Sequence, residues 1–213
     1  MMRLHGFKAS NYYSAVKLTL LEKGLAFEEM PMKLASSGRL EFEPDYLAIS
    51  PMGKVPCLET PRGVLSETSV IIDYLEERGE GPSFYPSDPF ARAKVRELMK
   101  HLELYVELPA RRLYGEFFGR PVPREEKQTV RELLERGFAS VSRLARFEPY
   151  VAGPEITYAD FFAQFALTAA TRTTKAVYGW DTFNTIPGIR DLLTRVGERD
   201  TVKAIMADRR AEH

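Results

Sequence analysis

The sequence predicts an α/β domain followed by an all-α domain, and three observations carry that expectation. Strand and helix patterns alternate over residues 1–78 and include a hairpin. A glycine- and proline-rich break follows, from Gly79 through Pro89. Beyond it the apolar residues recur at helical spacing rather than strand spacing. The 213 residues suffice for one large or two small domains with a sizeable core. The expected boundaries are a first domain at 1–78, a linker at 79–88 and a helical domain at 89–213.

Residues 3–7 read as the first strand, and Lys8-Ala9-Ser10-Asn11-Tyr12-Tyr13 as a polar, aromatic loop. Residues 14–23 read as a helix, with Val16, Leu20 and Leu21 on one apolar face and Gly24 as its stop. Within 26–34, Met30, Met32 and Leu34 alternate at period two, a strand that Pro31 confines to an edge. After a polar stretch at 35–45, the apolar runs at 55–58 and 64–65 flank Thr60-Pro61-Arg62-Gly63. Proline second and glycine fourth suit a type I turn, so this is a hairpin. The first two strands can run parallel through a crossover helix while the hairpin is antiparallel, which makes the sheet mixed.

Val55 precedes Pro56 and is pushed toward an extended backbone. Pro56 has no N–H to give and belongs at a strand start or an edge. An extended residue just outside a sheet keeps its N–H and C=O available to another extended chain. At the far end of the hairpin, Ser66-Glu67-Thr68-Ser69 opens a helix, with Ser66, Thr68 or Ser69 as its cap. The N–H groups of that first turn attract an anion. Backbone pairing, an acidic side chain at Glu67 and an anion-binding helix end together suit a short peptide bearing both a carboxylate and an ammonium.

Past the break, Asp88 before Pro89 is a good N-cap. Residues 90–118 read as one long helix or two, bent at Pro109, with Gly119-Arg120-Pro121 as the stop. Residues 124–147 place Val130, Leu133, Leu134, Phe138, Val141, Leu144 and Ala145 on one stripe. Thr157 and Asp160 have the spacing of a capping box, a device for starting a buried helix rather than a catalytic pair. Two more helices, at 187–196 and 201–210, finish the chain.

Composition narrows the function. Lys plus Arg and Asp plus Glu balance at 30 each, so no overall field favours nucleic acid or an anionic membrane. No apolar run approaches the roughly 20 residues that span a bilayer, and the N-terminus lacks the apolar core of a secretion signal. The single cysteine, Cys57, cannot form an internal disulfide, which suits the cytoplasm. No spacing of metal-ligand type is present, and the three histidines are scattered.

Gly53-Lys54-Val55-Pro56 followed by Glu67-Thr68 at a helix start resembles the glutathione site of the cytosolic glutathione S-transferases, and the resemblance spans nearly the whole chain. It implies a thioredoxin-like first domain with a four-stranded mixed sheet, a C-terminal helical bundle and a cis-proline at Pro56. It further implies that the valine backbone pairs with the cysteinyl part of glutathione and that Glu67 and Thr68 hold the γ-glutamyl end. Lys54, or more weakly Arg39, would reach the glycyl carboxylate. Glutathione would be the co-substrate and a small apolar electrophile the acceptor, in a homodimer serving detoxification.

A free thiol with pKa about 8.5 is only a few per cent ionised near neutrality, so such an enzyme must favour the thiolate by donating a hydrogen bond to sulfur. A neutral hydroxyl does so without competing as a base, and the positive end of the first helix assists. Ser10 is the first candidate, because the family's serine-type members carry the hydroxyl six positions before a valine, here Val16. Asn11 is close behind, since some bacterial relatives use an amide there, and Tyr12 or Tyr13 is a third possibility. Otherwise Tyr13, with Tyr105 and Tyr114 of the helical domain, would wall the second-substrate pocket. Ala15 departs from a basic residue common in the family, which leaves the subclass open.

Cys57 reads as a buried small residue rather than a nucleophile, and no Cys-x-x-Cys is present for a thioredoxin-type reductase. The Ser-Ser-Cys loop of the maleyl isomerases is also absent. The alternatives kept open are glutathione-dependent peroxide or disulfide reduction, and a non-catalytic partner-binding module of the same fold.

Overall fold

A computed structural model describes residues 1–34, 40–41 and 46–211. The first strand, β1 (Met2–Gly6), leads into α1 (Asn11–Glu22) and then β2 (Phe27–Pro31). A small ladder of β3 (Lys33–Leu34) and β4 (Leu40–Glu41) precedes the short α2 (Tyr46–Ile49). The hairpin β5 (Cys57–Thr60) and β6 (Gly63–Ser66) closes the main sheet, and α3 (Thr68–Glu77) follows. That sheet has the order β2-β1-β5-β6, with β1 parallel to β2 and antiparallel to β5. Pro31 lies at the outer edge, where a missing N–H costs no ladder bond.

The hairpin turns as its sequence dictates. Thr60 pairs with Gly63, and the Thr60 hydroxyl accepts from Arg62 N and donates to Gly63 O, at 3.1 and 2.9 Å. Gly63 takes a φ of 134°, open to glycine alone among common residues.

Two helix starts differ from the sequence expectation. Helix α1 begins three residues earlier than expected, because the Ser10 hydroxyl accepts from Tyr13 N and caps it; Asn11, Tyr12 and Tyr13 are therefore in its first turn. Helix α3 has no side-chain cap. Its N-cap position is Glu67, held at a φ of 70°, while Ser66, Thr68 and Ser69 do not cap it.

The chain forms two compact units. One comprises residues 1–84 together with 198–213; the other comprises residues 85–197. The last helix, α9 (Asp200–Ala211), thus packs with α1 in the first unit.

The second unit is helical. It contains α4 (Pro89–Leu102), a π-helical turn at Glu103–Glu107, α5 (Leu108–Arg111), a 3₁₀ turn at Tyr114–Phe118, α6 (Arg124–Leu144), α7 (Tyr158–Tyr178), a 3₁₀ turn at Thr182–Asn184 and α8 (Ile189–Gly197). The expected bend at Pro109 takes the form of that π turn. Proline cannot bond the Tyr105 carbonyl four residues back, and that carbonyl faces Gly137 of α6 so closely that a Cβ there would stand 1.9 Å from it. Asp160 starts α7 as the sequence predicts, accepting from Thr157 N and Oγ1 at 2.7 and 2.9 Å and from Val151 N at 2.7 Å. Among the described residues no helix is long and apolar enough to cross a membrane.

Candidate functional site

Strand register brings three separate stretches together. His5 pairs with Cys57, and Cys57 pairs with Ser66. One step beyond each strand end therefore lie the loop after β1, the Val55–Pro56 peptide and the Glu67–Thr68 start of α3. They share one end of the sheet, the carboxyl end of β1, where open α/β sheets bind ligands. The N-termini of α1 and α3 open at this same end, and neither carries an acidic residue in its first turn that would cancel its positive potential.

The Val55–Pro56 bond is cis. Lys54 just before it is held by side chains: its N–H donates to Ser50 Oγ at 2.9 Å, and its carbonyl accepts from Ser50 Oγ at 2.8 Å and Tyr46 Oη at 2.7 Å. Burial, reinforced by Cys57, pushes the Tyr46 phenol up, so it stays protonated and donates. With Lys54 satisfied locally, the Val55 N–H and C=O make no hydrogen bond among the described residues. An unused, half-buried peptide beside a sheet edge is a docking rail for an extended chain. Cys57 is fully buried and its thiol faces the Ile49 and Lys54 carbonyls, at 3.7 and 3.8 Å.

Glu67 occupies a φ of 70°, a conformation that costs a non-glycine residue about 1–3 kcal/mol. Its exposed carboxylate and the neighbouring Thr68 hydroxyl have no partner among the described residues. Lys54 is likewise exposed, and its ammonium has no partner among them.

On the opposite side, Ser10 and Asn11 are buried, at 6% and 7% exposure. The Ser10 hydroxyl accepts from Tyr13 N at 3.3 Å, and its own proton has no acceptor among the described residues. A hydroxyl fixed through a lone pair and still holding its proton can donate to an anion at the α1 N-terminus.

Residues 4–83 match the glutathione S-transferase N-terminal domain family. The whole chain is similar to a glutathione S-transferase of Pseudomonas putida, 48% identical over 99% of this chain and 94% of that protein. This chain belongs to the glutathione S-transferase family. Maleylacetoacetate isomerase of Pseudomonas aeruginosa is a more distant relative, 28% identical over 84% of this chain and 86% of its own. Among solved structures, a glutathione transferase of Methylococcus capsulatus superposes with a TM-score of 0.77 at 26% identity, covering 99% of this chain and 100% of the other. The protein is accordingly a glutathione transferase with the thioredoxin-like first domain of its family.

Several residues of this transferase lie elsewhere than the sequence suggests. Tyr13 is turned inward: its ring covers Gly6, where a Cβ would stand 2.2 Å from it, and its hydroxyl donates to Glu29 at 2.5 Å. It is not a pocket wall, because glycine at 6 opens a slot that the ring fills. Tyr12 stays half-buried in the first turn of α1. Arg39 lies outside the described residues.

Tyr105 and Tyr114 belong to the helical unit. Tyr105, 48% exposed, lines a cavity of about 330 Å³ with Leu104, Leu108, Pro109, Arg112 and Leu133. Tyr114 is not part of that cavity; its hydroxyl bonds Glu107 at 3.4 Å and its ring meets Phe117 edge-on. Sequence reasoning missed Tyr46 and Ser50, whose hydroxyls brace Lys54, and Arg209; it counted Ser14 among the polar residues near the first loop without giving it a bracing role. The Ser14 hydroxyl donates to Ser10 O at 2.8 Å and accepts from Arg209 at 2.7 Å. Serine four residues after Ser10 was a legible signal for the first of these bonds.

Proposed function

We propose that the protein conjugates glutathione to a small apolar electrophile, with Ser10 donating the hydrogen bond that favours the thiolate. In this reading the cysteinyl stretch of glutathione lies along the Val55 peptide next to Pro56. The γ-glutamyl ammonium meets the Glu67 carboxylate, and its carboxylate meets the Thr68 hydroxyl and the α3 N-terminus. Lys54 answers the glycyl carboxylate. The sulfur then lies toward the α1 N-terminus. The observation that carries the reading is the pairing of an unused Val55 peptide with the unspent Ser10 proton at the same end of the sheet.

The chemistry follows from the thiol. Its proton leaves to solvent, and Ser10 with the α1 dipole lowers the cost of the resulting anion by about 1.4 kcal/mol for each unit of pKa lowering. Sulfur then attacks the electrophilic carbon, forming the C–S bond while the leaving group departs with its electron pair, or, in an addition, while the acceptor takes up a proton. The protein contributes thiolate stabilisation and proximity.

Ser10→Ala should keep glutathione affinity within about threefold and raise the bound thiol pKa by at least about one unit, cutting turnover roughly tenfold near neutrality. Calorimetry and ultraviolet thiolate absorbance measure the two effects separately. Unchanged absorbance would transfer the role to Asn11 or Tyr12, and Asn11 in that role would favour glutathione-dependent reduction over conjugation. Absence of any melting shift at millimolar glutathione would favour the non-catalytic binding module. The family resemblance also supports a homodimer and a cytoplasmic location; sedimentation tests the former.

A further inference from the structure

Helix α9 delivers one guanidinium into the loop that carries Ser10. Arg209 Nη1 donates to the Lys8 carbonyl at 3.3 Å, the Ser10 carbonyl at 3.2 Å and Ser14 Oγ at 2.7 Å, while Nη2 donates to Asn11 Oδ1 at 3.2 Å. Four acceptors within seven residues of the chain are thus gathered on one planar cation. We propose that Arg209 is a positioning residue for the sulfur-activating loop, fixing the Ser10 backbone and the Asn11 amide in their donating orientations. This rests on the assignment of Ser10 and its neighbours to the sulfur.

The direction of the Asn11 amide follows from donor chemistry. A guanidinium offers five N–H groups and no acceptor, so only the carbonyl end of an amide can face it. Asn11 Oδ1 therefore turns toward Arg209, and the donating Nδ2 turns the other way. Ser10 is fixed on three sides: its carbonyl by Arg209 and Ser14, its hydroxyl lone pair by Tyr13 N, and its N–H by the Phe7 carbonyl at 3.0 Å. The one freedom left to its side chain is the proton.

Arg209 can hold this position because α9 is anchored beside it. Lys17, buried in α1, bonds Asp208 and Glu29, both at 2.7 Å, and Tyr13 completes Glu29. Asp208, next to Arg209 in the chain, is thereby tied to Lys17 and Glu29, with Lys8 acting on it from the loop. Asp208 is engaged by Lys17 in this trio, so the nearest carboxylate on α9 is directed to lysine. A fixed cation beside the α1 N-terminus also adds to the positive potential that a thiolate meets there.

The test compares Arg209→Met, which keeps the aliphatic stem, with Arg209→Lys, which keeps the charge but lacks the planar fork. The readouts are glutathione dissociation constant, thiolate absorbance against pH, and kcat/KM against pH. Arg209→Met should leave affinity within about threefold, raise the bound thiol pKa by about one unit, and lower kcat/KM about tenfold near neutrality. The deficit should vanish at high pH, where the thiol ionises unaided. Arg209→Lys should recover part of the shift.

An unchanged pH profile in Arg209→Met would overturn the proposal. So would an equal loss at every pH accompanied by lost affinity, because that is a collapsed loop rather than a mispositioned donor. If Arg209→Met does not fold, Arg209→Lys alone decides: a wild-type profile in it overturns the fork argument. Should the wild type itself fail to lower the thiol pKa, the assignment of the sulfur site fails first and visibly.

Discussion

At the scale of single residues, Glu67 shows how the site is tensioned. A glutamate at a φ of 70° is strained, and its carboxylate has no partner among the described residues. Glycine tolerates that backbone but cannot hold an ammonium. Glu67→Gly should therefore raise folding stability by about 1 kcal/mol, the relief of strain less the entropy that glycine adds to the unfolded chain. The same change should weaken glutathione binding at least about tenfold. Thermal melting and calorimetry on one protein sample decide both, and a glycine variant that is less stable would show that the backbone at 67 is not strained. Glu67 as a candidate was legible in the sequence, because an acid at a helix start beside a hairpin is a local pattern. Its strained backbone was not, because a dihedral angle depends on how β6 and α3 are joined in space.

At the scale of elements, local devices were read well and close approaches were not. The hairpin turn, the edge position of Pro31 and the Thr157–Asp160 box all follow from neighbours within a few residues. Gly137 is the counterexample. In sequence it is a weakness in the middle of α6, where alanine would ordinarily gain about 1 kcal/mol of helix propensity. In space it is the point where α6 meets the Tyr105 carbonyl, and a Cβ would lie 1.9 Å from that oxygen. Gly137→Ala should cost more than about 3 kcal/mol, because neither backbone can yield without moving a helix. Urea denaturation measures it, and a neutral result would mean that the two helices separate freely.

Asp160 gives the same unit a pH dependence. Burial pushes its carboxyl up to about 6, against the hydrogen bonds from Val151 and Thr157 that pull it down. A carboxyl whose folded pKa exceeds its unfolded one protonates first in the folded state. Its contribution is full below the unfolded value of about 4 and is lost as pH rises through about 6. Asp160→Asn carries no such proton and turns an N–H toward donors, so it should cost about 2 kcal/mol at pH 7. The penalty should widen as the pH falls from 7 toward 4, and a constant penalty across that range would contradict the raised value.

At the scale of the whole molecule, the two ends of the chain build one unit. Every residue of α1 from Tyr13 to Leu20 is buried, including Ser14, Lys17 and Thr19. A helix buried on all sides shows little amphipathic pattern, which is why its sequence suggested only one apolar face. The reason is that α3 and the sheet take part of its surface and α9 takes another. Polar residues on that last side find partners some 180 residues away: Lys17 meets Asp208, and Glu22 is gripped by Arg199 and Thr201. No periodicity can announce such pairs, so residues 198–211 read as the tail of a helical domain when they are the cover of α1.

A chain ending at Gly197 should therefore lose more than its last helix. It would bare the side of α1 that bears Lys17 and Glu22, and release the loop that Arg209 holds. We expect its melting transition to fall by about 10 °C or more, equivalent to a loss of roughly 2.5 to 5 kcal/mol in a protein of this size. Glutathione should restore little of that loss, because its own site is loosened. A shorter deletion that stops after Asp208 keeps the Lys17 and Glu22 anchors and removes the guanidinium, so it should melt close to the full chain while its bound thiol titrates higher. Equal melting temperatures for the full chain and the chain ending at Gly197 would show that α1 is stable without its C-terminal cover.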